Sequence, residues 1–354
     1  MERASVEHLD TSREAPSASS PGATNPYDSK PWLAHYAAGT PATVETAGVV
    51  VPDFLRSAVE SYPDRIAFAY YGRHITFRDL ARLSNMFANR LIELGLKKGD
   101  PVLVVLANLP QFPIVHFGIM KAGGVVAALS PLLVEREISQ LATDSGAKIV
   151  VALDRVWDRI GPLVERREID VAIVTGAHDE LPTLKRLLYP LKYRKEMVKV
   201  PHEPSRGIHQ FRKLMKGAPT ARPDVRITTE DIAAFQYTGG TTGLPKAAVL
   251  THGNMAANVL QVRAWVPDLR QGQETMMAIV PFFHSYGVTL CLHSAVQLAA
   301  TTVLMPRFEI ADVMGVSWGG AMAQHFALQH PRRTRRLVLA ATTPGMLMVP
   351  GNLS

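Results

Sequence analysis

Cysteine is almost missing from this chain. Cys291 is the one thiol in 354 residues, which excludes an internal disulfide framework and fits a reducing, cytoplasmic compartment. Charged residues are few, at 19%, against 47% hydrophobic residues, so the composition excludes a disordered chain and points to buried cores. The opening "MERASVEHLDTSREAPSASSPGATNPYDS" has no apolar h-region, so a secretory leader is not expected, and its Ser, Pro and Ala content reads as a mobile tail over residues 1–29. Long apolar runs are also scarce. The longest weakly charged one, 287–305, contains His293 and Gln297 and only just reaches membrane-spanning length, so it reads as a buried helix followed by a strand. Acidic residues stop altogether after Asp312.

What the chain does have is an uneven excess of positive charge. The formal net charge is +7. Residues 183–226 alone hold twelve Lys/Arg against three acids, a local excess of nine. The stretch "LKRLLYPLKYRKEM" interleaves those cations with apolar residues, a pattern that can rest on an anionic lipid surface or form a solvated loop. No nucleic-acid recognition motif accompanies the charge, so nucleic acid is not an expected partner.

Apolar periodicity gives an alternating rhythm. "VPDFLRSAVESYP" reads as a helix, and "RIAFAYYGRHITF" as two short strands around Gly72. "FRDLARLSNMFANRLIELG" is a helix with Leu80, Leu83, Phe87, Leu91 and Leu94 at spacings of three and four, stopped by Gly95. Then "PVLVVLA", "VVAALS" and "AKIVVALD" read as strands without polar alternation, separated by the helices "PQFPIVHFGIMKAGG" and "EREISQLATDSG". Strands apolar on both faces, alternating with helices, predict an α/β fold of parallel-sheet layers covered by helices. The Pro- and Arg-rich span of about 182–226 interrupts the rhythm as a surface excursion. After it come strand, glycine-rich loop, strand and helix, and then strand, turn, helix and strand through residue 305.

The glycine-rich loop carries the chemistry. "YTGGTTGLPK", residues 237–246, places Gly239, Gly240 and Gly243 among Thr238, Thr241 and Thr242, with Lys246 three residues beyond the last glycine. Glycines permit the tight backbone geometry that lets several N–H groups converge on one anion. Threonine hydroxyls add donors or a metal ligand, and the lysine adds a mobile positive charge. The Walker A spacing is absent. A plain hairpin turn is the alternative reading of such a segment.

This segment resembles the phosphate-binding motif of the adenylate-forming superfamily, which includes the long-chain fatty-acyl-CoA ligases. "PWLAHYAAGTPATVE" is similar to the entry region of those ligases, and residues 75–151 resemble the family's first subdomain. "PFFHSYG", 281–287, is similar to the next core motif, whose His284 would border the acyl pocket. The resemblance covers about 30–308, a partial AMP-binding domain. Gly239 stands where serine is common in the family, and Ala247 replaces a usual glycine.

The resemblance implies ATP, Mg²⁺ and CoA as cofactors and a fatty acid as substrate. A carboxylate would attack the α-phosphate of ATP, giving an acyl-adenylate and pyrophosphate, and the CoA thiol would then displace AMP. Residues 238–243 would hold the β- and γ-phosphates, Thr241 would contribute to Mg²⁺ coordination, and Lys246 would steady the pyrophosphate.

Beyond residue 308 the resemblance changes. "ADVMGVSWGGAMAQHFALQHPRRTRRLVLAATTPG" reads as strand, elbow at Ser317, helix, loop and strand, and is similar to the nucleophile region of α/β-hydrolases of the polyhydroxyalkanoate depolymerase type. Residues 309–354 are therefore read as a hydrolase fragment, joined near 308–311 without a flexible linker, as a gene rearrangement or assembly error would leave it. Ser317 is the alternative nucleophile, but the hydrolase triad needs a later carboxylate and none follows Asp312. His325 and His330, eight and thirteen residues on, would stand roughly 12 and 20 Å along a helix, out of a base's reach. No catalytic set is complete.

The Y-G-x-T-E and Y-R-T-G-D segments, which in the ligase family contact Mg²⁺, adenine and ribose, do not occur in the 354 residues. Positioning supplies most of the rate in such a site. The 354-residue polypeptide on its own is therefore expected to show weak or no fatty-acid-dependent pyrophosphate exchange into ATP; robust exchange would contradict that reading.

Overall fold

A computed structural model describes residues 27–193, 198–238 and 246–305, together with the strands 312–316 and 336–340. The chain divides into two compact units, 1–43 and 44–354. Within the first, the described residues carry one 3-10 turn, Pro31–His35.

In the second unit the strands are β1 (Ile66–Tyr70), β2 (Arg73–Thr76), β3 (Pro101–Val105), β4 (Val125–Ala128), β5 (Ile149–Leu153), β6 (Val171–Thr175), β7 (Ile208–Gln210), β8 (Ile232–Thr238), β9 (Lys246–Thr251), β10 (Thr275–Ala278), β11 (Thr301–Leu304), β12 (Asp312–Val316) and β13 (Arg336–Ala340). The helices are α1 (Val51–Ser61), α2 (Phe77–Glu93), α3 (Gln111–Lys121), α4 (Glu135–Ser145), α5 (Trp157–Glu165), α6 (Thr183–Lys192), α7 (Phe211–Met215), α8 (His252–Trp265) and α9 (Ala295–Gln297), with a π-helix at Gly287–Ser294.

Seven strands form one sheet in the order β7-β6-β5-β3-β4-β8-β9. All its pairings are parallel except β8 with β9. A second sheet has the order β10-β11-β1-β2. β12 and β13 pair with each other in parallel, Val316 opposite Ala340. The strands and helices expected from apolar periodicity up to residue 182 all form. The span 182–226 departs from a pure surface excursion: Ile208 and Phe211 are buried, which draws β7 onto the edge of the large sheet and α7 beneath it.

α2 begins where Thr76 accepts a hydrogen bond from the Asp79 backbone N–H, and it buries Leu80, Phe87 and Leu91. It meets α3 at close range because residue 118 is glycine. A Cβ there would lie 2.7 Å from Phe87 Cδ1 and 3.1 Å from the Ser84 carbonyl oxygen.

α3 has no exposed face; all eleven of its residues are buried. A helix apolar on every side belongs inside a protein. Six of its side chains, Phe112, Ile114, Val115, Phe117, Ile119 and Met120, are wholly inaccessible, and each is worth about 1.5–3 kcal/mol of burial. That sum outweighs the cost of taking three polar residues inside. Gln111 donates to Thr175 Oγ1 at 2.9 Å and to the Gly176 carbonyl at 3.0 Å. Lys121 Nζ donates to Ala81 O, Ser84 Oγ and Asn85 Oδ1 at 3.2, 2.8 and 2.8 Å, while burial pushes its ammonium down to about 7.

The third, His116, faces His293 of the π-helix, with the Nε2 atoms 2.7 Å apart. Among the described residues neither Nδ1 has a partner. One neutral ring donates to the other, and a proton added to either would have nothing to receive it. Burial first, and the neighbouring histidine next, hold His116 well below its ordinary value. Burial takes His293 from 6.5 to about 3, and His252 at the start of α8 from 6.5 to about 4.

Below pH 6.5 the unfolded chain binds protons that the folded chain refuses, so stability is present above 6.5 and is lost as pH falls toward 4. The thermal midpoint is expected to fall steeply across that window. His293→Gln, which keeps a hydrogen-bonding group opposite His116 and removes a titrating one, is expected to flatten the fall.

Candidate functional site

In open parallel sheets, ligands bind outside the carboxyl ends of the strands. Of the residues singled out in the sequence, Thr238, Lys246 and His284 are described, and they lie at that edge of the large sheet. β8 runs parallel beside β4, Val126 opposite Ala234 and Ala127 opposite Phe235, and it ends at Thr238. β9 returns antiparallel with Lys246 opposite Thr238. The Thr238 hydroxyl donates to the Lys246 carbonyl at 3.2 Å, and both residues are exposed. The two ends of the glycine-rich segment thus form the neck of a hairpin. Gly239, Gly240, Thr241, Thr242 and Gly243 lie outside the described residues.

Tyr237 fixes the neck from below. Its hydroxyl contacts Asp144 Oδ2 at 3.3 Å and the Leu141 carbonyl at 3.4 Å on α4, and burial, ahead of the neighbouring carboxylate, pushes it up to about 12.

The turn carrying His284 is held to the same edge by two side chains that the motif search did not find. Asn108, three residues past β3, donates to the Ala278 and Val280 carbonyls at 2.8 and 3.0 Å and accepts from the Phe282 N–H at 2.8 Å. Gln236, two residues before the loop, donates to the Phe283 carbonyl at 3.1 Å. β8 therefore carries the neck of the glycine-rich segment and one anchor of the His284 turn on the same strand. The available signal was an amide residue at the end of an apolar run, in "VVLAN" and "AAFQ".

His284 itself is exposed, so it is not a core packing residue. Its Nδ1 accepts from the Tyr286 N–H at 3.2 Å, and its own N–H donates to the Pro281 carbonyl at 3.0 Å. Phe282 beside it is buried against Phe112, ring centroids 5.2 Å apart.

The turn leads directly into the π-helix, a form often found beside functional sites. Only glycine fits at its first position, because a Cβ on Gly287 would collide with the Pro281 carbonyl and come within 2.9 Å of the Val280 carbonyl. Cys291 lies on this π-helix with Sγ 3.7 Å from the Met277 carbonyl, and burial raises its thiol to about 11.

Among the described residues no group of three His, Cys, Asp or Glu is arranged to hold a metal ion. Ser317 follows β12 and lies outside the described residues, as do His325 and His330.

A family profile described as "AMP-binding enzyme" matches residues 55–324, a span that contains the sheet edge, the loop and the His284 turn. The chain belongs to the AMP-binding enzyme family. The match runs past the change of resemblance read at 308–311. The chain is 34% identical over 289 residues to the long-chain-fatty-acid–CoA ligase of Bacillus subtilis strain 168, covering 81% of this chain and 51% of that protein. It spans about half the length of the curated relatives it matches.

Among solved structures, it is similar to the anthranilate CoA ligase AuaEII in complex with anthranoyl-AMP, with a TM-score of 0.65 at 20% identity over 83% of this chain and 55% of that one. It is likewise similar to a long-chain-fatty-acid-CoA ligase from Archaeoglobus fulgidus, with a TM-score of 0.66 at 19% identity over 83% and 56%. These likenesses establish the fold, that of the α/β portion of acyl-CoA ligases.

Asn108→Ala leaves one N–H and two carbonyls without their partner. It is expected to cost about 1–3 kcal/mol, read as a lower urea midpoint. An unchanged midpoint would show that the turn does not rely on this anchor.

Proposed function

We propose that this chain supplies the phosphate-gripping half of a site that activates a long-chain fatty acid with ATP, forming an acyl-adenylate and releasing pyrophosphate before transfer to CoA. The observation that carries the reading is that Thr238 and Lys246, the two ends of the glycine-rich segment, pair as the neck of a hairpin on the carboxyl edge of a parallel sheet. Gln236 ties the same strand to the turn bearing His284. Support for the substrate class comes from the fatty-acid–CoA ligases at 34–35% identity.

In this reading the backbone amides and hydroxyls of 238–243 receive the β- and γ-phosphates. Lys246 neutralises charge on the departing pyrophosphate, a positioning and electrostatic role. A hard cation entering with the nucleotide takes oxygen donors. The phosphates provide most of them, and the Thr241 hydroxyl is the protein oxygen this segment offers. His284, exposed beside buried Phe282, borders the space for the acyl chain. In this reading the protein is cytoplasmic, and the basic span 183–226 turns toward anionic lipid; the lone cysteine and the local excess of positive charge support it. Among the described residues no helix is long and apolar enough to cross a membrane.

Equilibrium binding of MgATP to the 354-residue chain tests the grip. Lys246→Ala and Thr241→Ala are each expected to weaken binding by about tenfold, the equivalent of one charge-assisted hydrogen bond. Undiminished affinity in both variants, or a wild-type chain that binds no nucleotide, would overturn the proposal.

A further inference from the structure

Helix α6 wears its apolar face on the outside. Leu184, Leu187, Leu188 and Leu191 are 69%, 67%, 50% and 80% exposed, and their spacings of three, four and seven residues set all four on one side of the helix. The other side is the one that packs. Tyr189 stacks against His178 and Tyr193, ring centroids 5.3 and 4.6 Å apart, and Arg155 donates to its hydroxyl at 3.3 Å. Lys185 Nζ donates to the Tyr71 carbonyl at 2.6 Å, beside the β1–β2 turn, where the Tyr71 side chain is itself exposed.

A surface helix ordinarily turns its apolar stripe to the core and its charges to water. Here aromatic and polar contacts hold the inner side, and a row of leucines meets solvent. Single exposed leucines are ordinary on a protein surface; a contiguous row marks an interaction surface.

The charge around the row decides what covers it. The ten residues of α6 include Lys185, Arg186 and Lys192 and no acid. Lys199, Arg212, Lys213 and Lys216 are exposed in the segments that follow. A second copy of the chain would present leucines to leucines, but also cations to cations. An anionic lipid surface accepts both, taking leucines at the acyl boundary and cations at the phosphates. At about 1.5 Å per residue the helix is about 15 Å long, half a hydrocarbon core, so it would lie in the interface and not span it.

We infer that α6 is an interfacial membrane anchor: it lies flat on an anionic bilayer with Leu184, Leu187, Leu188 and Leu191 inserted, and the basic residues of 183–216 draw the protein to that surface. This goes beyond attraction by charge, because it assigns the contact to one helix face and to insertion. It does not depend on nucleotide binding.

Flotation of the full chain with vesicles tests it. Wild type is expected to float with phosphatidylcholine vesicles containing about 30 mol% phosphatidylglycerol and not with phosphatidylcholine alone, as an electrostatically assisted contact requires. Leu187→Glu/Leu191→Glu, two changes at exposed positions, is expected to lower the partition coefficient by about tenfold or more while leaving circular dichroism and the thermal midpoint unchanged. Leu188→Trp is expected to shift its emission to the blue on the anionic vesicles, which surface attraction without insertion would not produce. Flotation of the double glutamate variant at the wild-type level would overturn the inference. So would a wild-type chain that ignores anionic vesicles but forms a dimer abolished by the same substitutions, which would give the leucine row to a second copy.

Discussion

A helix with no surface of its own organises this molecule. α3 is surrounded on every side, so each polar residue it carries must find its partner inside, and the three partners lie in three different places. Gln111 reaches the end of β6, His116 reaches the π-helix, and Lys121 reaches α2. Lengthening any one contact would leave a buried donor or acceptor unmatched, a loss comparable to that of a buried hydrogen bond. The carboxyl edge of the large sheet, the π-helix and the α2 layer are thereby referred to one rigid element. The His284 turn inherits that placement through Phe282, which packs on Phe112 of the same helix.

The neck of the glycine-rich segment is positioned by a different chain of contacts. β8 gains its register from β4, its lateral support from the contact of its Tyr237 hydroxyl with α4, and its link to the His284 turn from Gln236. Elements near residues 108, 144, 237 and 284 meet at one edge although more than a hundred residues separate the first from the last. Family membership fits this economy: an AMP-binding enzyme relies on placing charge and donors, and a sheet edge backed by buried helices is a stiff place to put them.

Much of this was legible in the sequence, for identifiable reasons. Runs such as "PVLVV" and "IVVAL" announce strands buried on both faces, and the spacing of Leu80, Phe87 and Leu91 announces the core side of α2. The glycine-threonine segment stood out by composition and by its resemblance to a family motif, and residues 239–245 at its centre lie outside the described residues. The division into two sheets was not legible, because β1 and β11 are neighbours in space but lie at opposite ends of the unit. Periodicity records which residues are apolar and says nothing about long-range partners. Nor did it yield the return of β7 to the sheet edge, where only three residues pair. The amides Asn108 and Gln236 escaped motif reading because their partners are backbone carbonyls and an N–H, which carry no sequence signature. The interleaved cations and leucines of 184–197 left a lipid-facing stretch or a solvated loop equally open; the helix and the stacking of Tyr189 show which side of α6 packs.

Cys291 has a practical consequence. Its sulfur is half-buried on the π-helix, and its thiol stays protonated far above neutral pH. The thiolate is the nucleophile that attacks alkylating reagents, so a thiol held protonated reacts slowly with them. With no other cysteine in 354 residues, the wild-type chain is expected to give a low background with maleimide dyes and nitroxide spin labels. A single cysteine introduced at any chosen surface position would then report from that position alone, without prior removal of the natural thiol.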